Sequence, residues 1–447
     1  MIATVFRRLV PFVCLLVLAL PATSHAADEV LYWNAVGVRA MQVVLPAKPL
    51  EGLPAVPAVG GALQPRALAI MHASIFDAVN GIERRYEAIH VTAEAPRGAS
   101  RRAAAAYAAY TALKLLFPRQ GSEGAFEADL EASLAGIAAD AAIENSQSIE
   151  RGREWGELVA HQIFAWCQTD GVNPLTTYTP SVADPGPGKW RPTLPAFGAG
   201  LFYSFASARP FVLPNPPTDF TPPGPPALWT PEYAADVNEV QSVGAKFGST
   251  RTAAQTQSAL FWAGAAASVW NRAAVNAAMQ RNTTLSQNAR LFAMLNMAMS
   301  DALRVAWGAK YYFLLWRPIT AIRLADTDDN AATVKDAAWL PFINTPAYPE
   351  YDSGHQSISG AAQAILTAFF GDKMPVVAIS ESLPGVTLSW PNFAAAADDA
   401  FMARIWGGIH FRFAMRDTRE NTSDIAAYVL AHTMLPVKGT RTGQLSK

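Results

Sequence analysis

Two cysteines in 447 residues, Cys14 and Cys167, leave little room for redox or zinc chemistry. Cys14 lies in an apolar amino-terminal stretch, so removing that stretch leaves Cys167 alone. One thiol excludes an intramolecular disulfide and a cysteine-based zinc site. Cys167 falls in an apolar helical pattern and reads as a small buried hydrophobe. Charge of either sign is also lacking, with 35 basic and 36 acidic residues. Nothing in that balance would draw a polyanion, so nucleic acid is excluded as a partner. Alternating runs of β-branched residues are scarce, which argues against a sheet protein. No repeat of 20–50 residues is present, which excludes a solenoid. Beyond residue 26 no apolar run is long enough to span a bilayer.

What is present starts with a secretory signal over 1–26. Arg7 and Arg8 form its basic start, Leu9 to Leu20 its apolar core, and Ser24-His25-Ala26 a small-x-small cleavage site. The apolar core is short for a membrane anchor. The expectation is export to the periplasm or medium with cleavage near Ala26. The remaining 421 residues would carry 33 basic and 36 acidic side chains, a net charge of −3, and no membrane span.

The mature chain is rich in Ala, Leu, Phe and Trp, and the expected class is all-α with two helical bundles. The first covers 27–170. Helices are expected over 65–82, 101–116, 124–137 and 143–168, the last capped by Asn145 or Ser146. His72, Asp77 and His161 read as structural polar groups. Residues 171–230 are crowded with proline, yet Tyr178, Trp190, Phe197, Phe202, Tyr203, Phe205, Phe211 and Phe220 argue against free disorder. An ordered connection over the second bundle is expected there. That bundle spans 231–437. Helices are expected at 231–243, as one long element over 250–279, from a Ser286 cap onward, at 356–370, 405–413 and 417–434. Residues 438–447 read as a tail.

Three short blocks in the second bundle carry the chemistry. Ser353-Gly354-His355 precedes an apolar helix pattern. A helix start offers unpaired N–H groups and a positive dipole end to an anion. Gly354 permits close backbone approach, and His355 can move protons near neutrality. Upstream, Lys310 and Arg317 are seven apart, two turns of one helix that Pro318 would end. They lie among Tyr311, Tyr312, Phe313, Leu314, Leu315 and Trp316, which suits anion clamping better than a solvated face. Downstream, Arg404 and His410 are six apart, and on a regular helix they would diverge by roughly 120°. Gly407-Gly408 between them would relax that helix. Three cations, two histidines and a helix start suit a tetrahedral oxyanion.

The blocks Lys310-x6-Arg317-Pro318, Ser353-Gly354-His355 and Arg404-x5-His410, in this order, resemble the phosphatidic acid phosphatase type 2/vanadium haloperoxidase superfamily. Trp307, three before Lys310, and Tyr348 resemble pocket-wall positions of the bacterial vanadium-dependent haloperoxidases. Phe261-Trp262 and 66–80 also look like those proteins. Three positions depart from the pattern. Asp352 replaces a proline, Ala403 a serine, and Ala414 an aspartate often found four after the histidine. Asp417, seven after His410, could serve as the orienting carboxylate instead.

The resemblance implies one vanadate per chain, with His410 as its metal ligand. Lys310, Arg317, Ser353, Gly354 and Arg404 would hold its oxygens, and His355 and Lys310 would act in catalysis. Hydrogen peroxide, a halide and a small organic acceptor would be the reactants. Two other readings use the same cage: a periplasmic acid phosphatase with a phosphohistidine at His410 and no metal, and a non-catalytic oxyanion-binding protein. Homo-oligomerisation is left open.

Overall fold

Helix starts in this chain are written by short polar side chains. Asp28, Ser100, Asn145, Thr230, Thr252, Thr284, Ser353 and Asn392 each accept a backbone N–H of the turn that follows. The computed structural model describes residues 28–42, 61–182 and 184–437. The expected signal stretch and the tail lie outside these residues. In chain order the helices are α1 (Glu29–Ala40), α2 (Gln64–Glu83), α3 (Arg101–Leu116), α4 (Pro118–Ser122), α5 (Glu127–Ala138), α6 (Ser146–Gln168), α7 (Pro231–Val243), α8 (Ala253–Phe261), α9 (Ala266–Arg281), α10 (Leu285–Phe313), α11 (Pro318–Arg323), α12 (Gly354–Phe370), α13 (Phe393–Trp406) and α14 (Arg412–His432). One antiparallel hairpin, β1 (Val376–Ile379) and β2 (Thr387–Trp390), pairs Val376 with Trp390; the sequence reading did not anticipate it. Among the described residues no helix is long and apolar enough to cross a membrane.

Helices α2, α3 and α6 pack together as the first bundle, and α10, α12 and α14 as the second. The alanines of α3 leave a low surface that α6 approaches closely. A Cβ added at Gly156 would lie 2.5 Å from the carbonyl oxygen of Ala104. The bundles meet along α2 and α10. Helix α2 is buried from Gln64 to Asn80, and α10 along most of its length. Such all-round burial belongs to helices at the middle of a fold.

Each central helix carries one aspartate that ties down a passing segment. Asp77 accepts the N–H groups of Ile89, His90 and Val91 at 2.8, 2.9 and 2.8 Å. Asp301 accepts those of Phe211, Val212 and Leu213 at 2.7, 2.8 and 3.1 Å. Burial pushes both carboxyls up to about 6, against the pull of those donors. Asp301 thereby anchors the proline- and aromatic-rich connection. That segment also bonds beside the three blocks, through Trp190 N–H to Leu314 O (2.7 Å), Trp316 N–H to Gly188 O (2.9 Å) and Leu201 N–H to Ala347 O (2.9 Å).

His72 is fully buried, stacks on Phe292 and bonds Asn34 Oδ1 through Nε2 at 3.0 Å. Burial holds it down to about 3. A folded-state value below the ordinary one gives stability that is present above pH 6.5 and lost as pH falls through the folded value. His72→Phe should therefore cost less at pH 5 than at pH 7.5, by about 2 kcal/mol. Urea unfolding of both proteins at both pH values measures this. An equal cost at the two pH values would mean that His72 is not kept neutral.

Three helix expectations need correction, and each concerns the site. The long element over 250–279 breaks between Phe261 and Ala266, because tertiary partners take the backbone there. Lys310 and Arg317 do not share a helix. Leu314 adopts a left-handed conformation (φ 53°) that ends α10, and Arg317 caps α11 with Pro318 at its first position. The helix expected over 405–413 does not form. Arg404 lies in the last turn of α13, which ends at Trp406, and His410 lies in the link to α14. The cap expected at Ser286 is Thr284, whose box partner is Gln287.

Candidate active site

Lys310 lies on the last turn of α10 and is fully buried. Its ammonium donates to the carbonyls of Pro349 (3.0 Å), Glu350 (2.9 Å) and Asp352. An ammonium has three N–H groups, so all are spent on the loop that leads into α12. The same nitrogen lies 5.5 Å from the Trp307 ring centre and 5.2 Å from that of Tyr348. Burial, then the Arg317 charge, push its pKa well down. The expected oxyanion clamp is here the fastening of a loop.

Arg317 and Arg404 behave differently. Arg317 donates from Nε to Tyr348 O (2.8 Å), and from Nη1 to Ile409 O (2.8 Å) and toward His410 Nε2 (3.4 Å). Arg404 donates from Nη1 to Trp262 O at 2.6 Å. Arg317 Nη2 and Arg404 Nε are buried and meet no acceptor. The residues are 0% and 2% exposed, so neither charge is solvated at the surface. Burial lowers both guanidinium pKa values, that of Arg404 to about 9. Buried cations with open donors call for an anion.

Both histidines are brought to this place. His355 donates from Nε2 to Gly264 O at 2.8 Å, and burial with the Arg404 charge holds its pKa well down. His410 Nδ1 lies 2.8 Å from Glu350 Oε1. Burial, then the charges of Arg317, Lys310 and Arg404, keep His410 neutral. Ser353 caps α12 by accepting Gln356 N–H at 3.4 Å, which leaves its hydroxyl hydrogen available. A Cβ at Gly354 would lie 3.0 Å from the Trp307 ring, so only glycine leaves that face clear. A cavity of about 580 Å³ reaches His355 and Arg404, walled by Gln64, Gly264, Phe342, Asn344 and Tyr348. A larger cavity of about 880 Å³ opens beside the starts of α1, α3 and α10. Its carboxylates are already engaged, Glu29 by Arg102 and Glu144 by Ser100 and Ser148.

Two acids read from the sequence lie differently from expectation. Asp352 turns its side chain away from the cage: Oδ1 accepts from Ser353 N–H (2.9 Å) and from the Thr418 hydroxyl. Burial raises its pKa well up. Asp417 does not orient His410. It accepts from Tyr351 Oη (2.9 Å) and Arg416 (2.7 Å), because α14 starts after His410 and turns that face toward Tyr351. Sequence reasoning missed Glu350 and the carbonyls of Trp262 and Gly264. Glu350 left a trace as a carboxylate inside the motif loop. The carbonyls left only the run Ala263-Gly264-Ala265.

Residues 290–439 match the family described as the VCPO second helical-bundle domain. Over these residues the carboxy-terminal bundle is similar to the vanadium haloperoxidase family. A stretch of 96 residues is 32% identical to vanadium chloroperoxidase of Curvularia inaequalis. That stretch is 19% of this chain and spans only 15% of the curated relative. The likeness in fold to solved structures reaches well beyond that bundle. A bacterial vanadium-dependent iodoperoxidase superimposes with a TM-score of 0.73 at 24% identity, over 91% of this chain and 96% of that one. A holo-type bacterial vanadium-dependent chloroperoxidase does so with a TM-score of 0.62 at 17% identity, over 86% and 97%. Its apo-type counterpart gives 0.66 at 17%, over 86% and 96%.

Proposed function

We propose that the protein is a vanadate-dependent haloperoxidase that oxidises a halide with hydrogen peroxide to hypohalous acid equivalents. The observation that carries this reading is the pair of buried guanidinium groups with open donors, Arg317 Nη2 and Arg404 Nε, beside His410 Nε2. The donor set fits vanadate. Arg317, Arg404, the Ser353 hydroxyl and the Gly354 N–H would face its oxygens, and His410 Nε2 would be the metal ligand. Donors fixed in advance stabilise a trigonal-bipyramidal oxyanion without reorganising. Vanadate, when bound, supplies the activation of peroxide toward halide. The Gly264 carbonyl holds the His355 ring, which would take or give a proton at the cage. Lys310 acts by keeping the loop carbonyls turned away from the anion. Halide, peroxide and a small organic acceptor would enter through the cavity beside Tyr348. Likeness in fold to an iodoperoxidase and to chloroperoxidases supports peroxidase over phosphatase chemistry. The mature protein would begin near Ala27 and work outside the cytoplasm, which amino-terminal sequencing of exported protein checks.

The deciding assay is peroxide-dependent bromide and iodide oxidation by the metal-stripped protein, before and after orthovanadate, with p-nitrophenyl phosphate turnover alongside. Halide oxidation that requires vanadate and is suppressed by phosphate is the expected result. Ester hydrolysis inhibited by vanadate, without halide oxidation, would make the protein a phosphatase with His410 as nucleophile. Neither activity, with vanadate still bound, would make it an oxyanion-binding protein.

A further inference from the structure

The two nitrogens of His410 meet opposite surroundings. Nδ1 lies 2.8 Å from Glu350 Oε1, while Nε2 faces the cage and lies 3.4 Å from Arg317 Nη1. A neutral imidazole carries one proton. With that proton on Nδ1, the ring donates to the carboxylate and accepts from the guanidinium. With it on Nε2, acceptor would face acceptor at one end and donor would face donor at the other. With Glu350 ionised, only the Nδ1–H ring pairs donor with acceptor at both ends.

Glu350 is itself held from several sides. Its N–H donates to Leu315 O at 3.0 Å, and its carbonyl accepts from Lys310 at 2.9 Å. The same Oε1 that meets His410 accepts Phe411 N–H at 3.0 Å. Glu350 is fully buried, as is Ala414, the position where related sequences often carry an aspartate. The methyl group of Ala414 can do nothing for an imidazole.

We propose that Glu350, on the loop before α12, is the positioning residue that fixes the His410 tautomer and aims the Nε2 lone pair into the cage. The orienting carboxylate is thus supplied 60 residues upstream of the histidine rather than four residues after it. Lys310 joins the arrangement by fastening the Glu350 carbonyl. The proposal rests on His410 being the ligand to the oxyanion's central atom, but the tautomer itself can be read without any oxyanion.

Two readouts test it. In protein labelled with 15N-histidine and free of vanadate, two-bond 15N–1H spectra distinguish an Nδ1–H ring from an Nε2–H ring. His410 should read as Nδ1–H in the wild type and lose that preference in Glu350→Ala. Glu350→Gln should keep it, because Phe411 N–H pins an oxygen at the Oε1 position and that oxygen still accepts from the ring. Vanadate affinity by equilibrium dialysis should fall roughly 10–100-fold in Glu350→Ala, the usual effect of removing a partner behind a metal ligand. The fall should be smaller in Glu350→Gln. The buried His72 resonance serves as the folding control, and if Glu350→Ala does not fold, the comparison is made with Glu350→Met. An Nδ1–H ring in the alanine or methionine variant, with vanadate affinity within twofold of wild type, would overturn the proposal. A wild type that binds no vanadate but loses its tautomer on substitution would leave Glu350's role standing and remove the haloperoxidase reading instead.

Discussion

His410→Ala is expected to remove stoichiometric vanadate binding, whereas His355→Ala is expected to keep the oxyanion and lose turnover. Both imidazoles are held toward the neutral form, His410 buried and His355 half-buried at the cavity, yet they are fixed by different acceptors: Glu350 behind His410 and the Gly264 carbonyl behind His355. Loss of a partner behind a metal ligand costs roughly 10–100-fold in affinity, so loss of the ligand itself should exceed ~100-fold. A positioned acid–base group contributes roughly 10²–10⁴-fold, which sets the expected fall in turnover for His355→Ala. Equilibrium dialysis with vanadate, beside initial rates of bromide oxidation, separates the two. Stoichiometric vanadate on His410→Ala would remove the ligand assignment. Unchanged turnover in His355→Ala would remove the proton-handling one.

Asp301→Ala should be the most destabilising single substitution away from the cage. Three backbone N–H groups, those of Phe211, Val212 and Leu213, would be left buried without an acceptor. Each such group costs about 1–3 kcal/mol, so the loss should be on the order of 4 kcal/mol after some rehydration. Asp301→Asn keeps one acceptor oxygen but turns an amide N–H₂ toward the remaining donors, and should lose about half as much. Urea denaturation gives both values. A loss under ~1 kcal/mol for the alanine variant would mean that the connection is not held by this carboxylate.

Much of both bundles was legible because the signals are local. Pro231, Ser353 and the apolar spacing after His355 mark helix starts, and α3 and α7 have the expected bounds. The oxyanion blocks were legible because Lys, Arg, Ser-Gly-His and His are costly to bury together without a reason. What sequence could not give was set by contacts between distant segments. The periodicity of 250–279 is helical throughout, yet the backbone opens at Trp262–Ala265, where Arg404 and His355 take its carbonyls. The seven-residue spacing of Lys310 and Arg317 suggested a shared helix face, but Leu314 reverses the chain between them. Lys310 then points at carbonyls rather than into the cage. Glu350 was passed over because an acid beside an anion site looks unfavourable until its imidazole partner is seen.

Helix α10 joins the seam between the bundles to the cage. Its 29 residues make a rod of about 44 Å. One stretch packs on α2, Asp301 grips the overlying connection, and the far end carries Trp307 and Lys310. A rod packed this tightly shifts as a unit and bends little. The amino-terminal bundle contributes Gln64 to the cavity wall, yet it sets where the end of α10 comes to rest. It is the abutment against which the loop carrying Glu350 is levelled.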